Sequence, residues 1–217
     1  MAKRKTLDIG ALIGSGGGSP LAAPSLPPIV KLWAYRILVE LGHAQSLLAR
    51  GSYRQEDLLR QLGLGQPLSQ EDDTLRERGL VKAMMQAHSM AEEEGGEVPT
   101  VLVRNVQRIA DLVGLNAVEC RILEFVLVMR NDSTLNDLCE SISKIRLPEI
   151  VKCLATVLRL PTEDVRLALH RQSALARSGL MTVDTHHTNC FSEKFDLLCA
   201  RSVEHLFETD IEPVDWI

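Results

Sequence analysis

The sequence predicts a mainly α fold: a helical bundle followed by a winged helix-turn-helix-like unit with a short β wing. Three observations carry this. Hydrophobic residues make up 45% of the 217 residues but aromatics only 4%, so the core is built from Leu, Val, Ile and Ala, as in helical bundles. Apolar residues recur at helical spacing through most of residues 29–177. Finally, residues 147–184 run helix, tight corner, helix, glycine stop and short alternating segment, the order of a winged helix-turn-helix.

Residues 1–28 mix a basic start, MAKRK, with GSGGGSP and APSLPP, and this composition is expected to stay a disordered arm. Its glycine run lacks the Gly-Lys-Ser/Thr that a phosphate loop needs. Residues 29–50 are predicted to form one long helix with a broad apolar face (Leu32, Tyr35, Ile37, Leu38, Leu41, Leu48). A short helix follows over 54–64, ended by Gly63 and Gly65. Ser69 and Asp72 resemble a capping box for a helix through Glu94, with Ala83-Met84-Met85 read as core. The hinge EEEGGE (92–97) and Pro99 place a boundary near Val98, which divides the chain into an arm (1–28), a helical region (29–97) and a second domain (98–217).

In the second domain, Thr100 to Leu115 reads as a helix stopped by Gly114. Asn116 and Glu119 frame the next helix as N-cap and N3 partner, and its apolar body, Cys120 to Met129, is expected to be the most buried element. Phe125 lies at its centre and is expected to pack on Val151 and Leu154. A helix over 133–144 leads into Pro148–Leu158, and Pro161 breaks the chain. Thr162, Glu163 and Asp164 suit the start of a second amphipathic helix, Thr162 to Arg177, with Thr162 as its cap. Gly179 stops it, 180–183 alternate as a strand, 185–190 form a polar wing, and a last helix spans Ser192 to Phe207.

On the helix 162–177, Arg166, His170, Ser173 and Arg177 follow at spacings of four, three and four and share one face. This polar ridge is the candidate partner or DNA-contacting surface, since a recognition helix offers such side chains to a major groove. The formal net charge of -5 confines any nucleic-acid contact to a local patch. Basic residues exceed acidic ones only in 1–60 and 144–201.

The five cysteines have no CxxC spacing and read as reduced, buried thiols. His186, His187, Cys190, Cys199 and His205 lack the paired spacing of a structural zinc site. The sequence contains no nucleophile elbow, HExxH or Walker lysine. No catalytic, metal or cofactor-binding residue is therefore assigned, and a cytoplasmic protein without membrane spans is expected.

LGLNAVECRILEFVLVMRND, then PTEDVRLALHRQSALARSGLMTVD and FSEKFDLLCARSVEHLF, resemble the region preceding the ATPase module in a group of bacterial AAA-type ATPases. The likeness covers roughly residues 100–217. The family's P-loop, Walker B strand and arginine finger have no counterpart here, so no catalytic residue carries over. What the resemblance implies is a non-catalytic regulatory or partner- and substrate-engaging region that works with an ATPase module and oligomerises through it. The apolar ending, TDIEPVDWI, is expected of a chain that continues into such a module. The alternative reading is a DNA-binding winged-helix regulator.

Overall fold

The computed structural model describes residues 26–44, 53–64, 73–142, 145–185, 190–197 and 203–212. The fold is mainly helical with a small two-stranded antiparallel sheet, as the sequence predicts. Residues 1–25 of the expected arm 1–28, the Ser69/Asp72 box and the wing tip 186–189 lie outside the described residues, while the end of that arm is ordered, with Leu26 buried and Pro28 opening a helix.

Helix α1 (Pro28–Tyr35) starts on a proline, whose fixed φ suits the first helical turn. It does not run on to residue 50 as expected. From Arg36 to Glu40 the chain widens into a π-turn, closed by the Leu41 amide on the Arg36 carbonyl, and it then turns at Gly42. Helix α2 is Tyr53–Gln61 and helix α3 is Asp73–Glu94. Met84 of α3 is core, whereas Met85 is 59% exposed, so the expected methionine stripe is core at one position only. After α3, Gly96 passes so close to α1 that a Cβ there would lie 2.5 Å from the Ile29 nitrogen.

Helix α4 (Thr100–Val113) ends as predicted on Gly114 in the left-handed region, φ +79. Helix α5 (Ala117–Asn131) carries the predicted capping box: Asn116 Oδ1 accepts from Val118 N and Glu119 N, and the Asn116 amide donates to Glu119 Oε2 at 2.8 Å. Its residues Ile122 to Met129 are all buried. Asp132 ends α5 and caps α6 (Ser133–Glu140), which is shorter than the expected 133–144.

Helix α7 is Leu147–Leu158. The predicted helix 162–177 is in fact two, α8 (Thr162–Ala168) and α9 (Ala174–Arg177), separated by a turn. Thr162 makes no capping bond; Pro161 stands at the N-cap position. β1 (Met181–Val183) pairs antiparallel with β2 (Phe195–Leu197), with Met181 opposite Leu197 and Val183 opposite Phe195. The expected helix Ser192 to Phe207 is thus corrected to a 3-10 turn, a strand and the short α10 (His205–Glu208). The alternation of Phe195 (buried) with Asp196 (exposed) is the period-2 signal of a strand.

The buried apolar side chains form one core that runs across residue 98. Its aromatic spine passes from Trp33 of α1 edge-on to Phe125 of α5 (centroids 5.1 Å apart), then to Phe191 (6.3 Å) and Phe195 (5.2 Å). Phe125 is fully buried as expected, and its ring partners are Trp33 and Phe191.

Candidate functional site

The ridge predicted from Arg166, His170, Ser173 and Arg177 requires one continuous helix, and the break at 169–173 removes it. Ser173 adopts an extended conformation and its Oγ accepts the Ala176 amide, making it the N-cap of α9. The Glu119 carboxylate reaches over from α5 and accepts from Ala174 N at 2.7 Å and from Leu175 N at 3.3 Å. Together they satisfy amides that in a continuous helix would have bonded the carbonyls of residues 170–172. Arg166 is engaged by Glu163 one turn away, Nε to Oε2 at 2.9 Å, and this guanidinium holds the Glu163 carboxyl below its usual range. His170 Nδ1 stands 3.3 Å from the Gln172 amide. Arg171 and Arg177 are exposed and have no ion-pair partner among the described residues.

Among the described residues the densest polar cluster lies elsewhere, where the π-turn, α3 and the end of α7 meet. Arg36, nearly buried, donates to both oxygens of Glu92, Nε to Oε1 at 2.7 Å and Nη2 to Oε2 at 2.9 Å. Its remaining Nη1 donates to the Val157 carbonyl in the last turn of α7 at 2.6 Å. Arg159 follows α7 in the left-handed region, φ 55, the one non-glycine residue with positive φ among those described. From there it donates to both Glu40 oxygens and, at 2.9 Å, to Glu92 Oε1. His88, one turn before Glu92, places Nε2 2.9 Å from Glu40 Oε1. The Arg36 guanidinium, ahead of Arg159, pulls the Glu92 carboxyl down to about 2.

Glu40, His88 and Glu92 hold their ligand atoms within 4.8 Å of one another, the spacing of a metal-binding group. The donor set does not favour a cation, however. All four carboxylate oxygens already accept from guanidinium groups. A divalent ion placed there would sit beside two fixed positive charges, and at such distances like-charge repulsion is strong in a partly dry site. The cluster is a charge-balanced network that joins three elements.

Of the thiols expected to be buried, Cys139 and Cys153 are, whereas Cys120 and Cys190 are half-buried and Cys199 lies outside the described residues. Burial, with help from Glu124 and Glu119, pushes the Cys120 thiol up to about 11, burial pushes Cys153 up to about 12, and it raises Cys139 well above its usual value. Since the thiolate is the nucleophile, these cysteines are inert near neutral pH. Cys153 lines a shallow cleft with Leu41, His43, Ile142, Ile145, Glu149 and Lys152. There burial lowers the pKa of His43. Of the residues weighed as a zinc set, His186, His187 and Cys199 lie outside the described residues, His205 is exposed on α10, and Cys190 Sγ lies 3.3 Å from Ser192 Oγ.

No protein-family model, curated protein or solved structure matches this chain. Among the described residues, no helix is long and apolar enough to cross a membrane.

The sequence reading missed the network because its members are far apart in the chain. Two local signals were present. Arg36 is a lone charge in the apolar run WAYRILV, which demands a buried partner, and His88 and Glu92 share a helical face. Glu92 had the look of an exposed hinge acid.

Proposed function

We propose that this chain is a non-catalytic helical module that engages a protein partner. On the resemblance of residues 100–217, it is the regulatory or substrate-engaging region placed ahead of a bacterial AAA-type ATPase module. In this reading α7, α8, α9 and the β1–β2 hairpin are the winged-helix-like unit, and the compartment is the cytoplasm. The observation that carries the preference for protein over nucleic acid is the Arg166–Glu163 pair: of the cations expected to form the ridge, Arg166 is engaged by an acid of its own helix. The raised thiols and the charge-balanced cluster support the non-catalytic half of the reading, since neither presents an activated nucleophile or a free base. To test it, the purified chain is added to the separate ATPase module of such an enzyme. Co-elution and at least a twofold change in ATP turnover are expected; neither effect at high micromolar concentration removes the reading.

A second reading, DNA binding, is favoured by Arg171 and Arg177, two exposed cations with no ion-pair partner among the described residues. Each neutralised phosphate contributes a log-log salt slope of about 0.9, so two contacts give about 2. Fluorescence anisotropy with a labelled duplex at low salt measures it. Affinity that is absent, or unchanged when both arginines become Ala, removes this reading.

A further inference from the structure

Helix α4 is strongly amphipathic, with Leu102, Val106 and Ile109 fully buried, and Asn105 lies among them with no exposed surface. Asparagine is a poor helix former, and a buried amide without partners costs free energy that an aliphatic residue there would avoid. Its partners are all main-chain groups of one short segment. Asn105 Nδ2 donates to the carbonyls of Leu206 (3.0 Å) and Thr209 (2.8 Å), and Oδ1 accepts the Ile211 amide at 3.0 Å. Arg108 Nη1 adds a bond to the Ile211 carbonyl at 3.0 Å. One side chain of the segment is selected as well, because Arg104 and Arg108 both face Asp210, at 2.9 and 3.5 Å.

We propose that the Arg104/Asn105/Arg108 face of α4 is a docking site for an extended acidic peptide with aspartate followed by an aliphatic residue, and that the chain's own Thr209–Ile211 occupies it in cis. Hydrogen bonds to main-chain atoms are available from any extended segment, which is how peptide-recognition sites obtain affinity, while pockets and charges supply the choice of sequence. The charged contacts here are exposed, so they select without locking. Asn105 and Leu206 are buried, so the resident segment has to lift before a partner segment of the same chemistry takes its place. This site uses no residue of α8 or α9 and does not rest on the function proposed above.

The resident segment competes at a high effective concentration, so the test weakens it first. Asp210→Lys, at an exposed side chain, turns its two attractions into repulsions in the full-length chain. The probe is the labelled hexapeptide Phe-Glu-Thr-Asp-Ile-Glu, the sequence of residues 207–212. It is expected to bind the Asp210→Lys chain at least tenfold more tightly than the unaltered chain. Placing Lys for Asp in the peptide, or adding Asn105→Ala to the chain, is expected to cost tenfold or more. If Asn105→Ala does not fold, Arg104→Ala, at an exposed site, carries the same comparison. No saturable binding at millimolar peptide, or binding indifferent to these changes, overturns the proposal.

Discussion

The Glu119 carboxylate on α5 accepts the amide of Ala174, fifty-five residues further along the chain, while its other oxygen accepts the amide of Asn116. One buried acid therefore caps its own helix and fixes where α9 begins. Its surroundings are hydrogen-bond donors, so removing it leaves several amides without an acceptor.

Glu119→Ala is accordingly expected to cost about 2 to 3 kcal/mol in urea melts, more than the ~1 kcal/mol of an ordinary cap. Hydrogen exchange of residues 174–177 should accelerate in parallel. A loss under about 0.5 kcal/mol would mean that α9 is held by Ser173 alone.

The local half of this arrangement was legible in the sequence, because Asn116-x-x-Glu119 before an apolar run is a capping box with its own short-range physics. The long-range half was not. Nothing in the spacing of 166, 170, 173 and 177 shows that a carboxylate from another helix will start a new helix at Ala174, although Ser173 is a favoured cap residue and offered a hint. The same division holds elsewhere. Gly114 and the burial of Phe125 follow from local pattern, and the fold class with them. The π-turn after Tyr35 depends on partners on α3 and α7, and β2 becomes a strand because β1 lies beside it; both are tertiary effects that override helical propensity.

Phe125 joins Trp33 and Phe191 in the core spine. Phe125→Ala is expected to cost about 3 to 5 kcal/mol through the lost transfer energy and the cavity left behind. Arg166 is exposed and its pair with Glu163 is a surface one, so Arg166→Ala should stay within about 0.5 kcal/mol. Similar losses for the two variants in paired urea melts would mean that the buried and exposed faces are misassigned.

Glu92 gives the fold a defined acid response. Its carboxyl lies at about 2 in the folded chain, chiefly because of Arg36, against an ordinary 4.5. A folded-state value below the unfolded one means that the network's stabilisation is complete above pH 4.5 and is lost as pH falls toward 2. Glu92→Gln should remove that response: the variant is less stable at pH 7, by about 3 kcal/mol if Arg36 stays buried without its charge partner. The gap from the unaltered chain should close progressively between pH 4.5 and 2. A gap independent of pH in parallel denaturant series would show that Glu92 contributes packing and not charge.

Arg159 combines a strained backbone with an ion pair, and two substitutions separate them. At φ 55 a residue with a Cβ is disfavoured, and the left-handed conformation costs such a residue roughly 1 to 2 kcal/mol. Glycine adopts it freely. Against that strain stand the bonds to Glu40 and Glu92, partly exposed at Arg159. Arg159→Ala keeps the strain and loses the pairs, so it should be clearly destabilising. Arg159→Gly loses the same pairs but relieves the strain, and should be the more stable of the two by about 1 kcal/mol, close to the unaltered chain. Thermal melts of the three proteins decide it. An alanine variant as stable as the glycine one would mean that residue 159 does not hold the left-handed conformation in solution, and the contact of Arg159 with Glu40 would then need another backbone path.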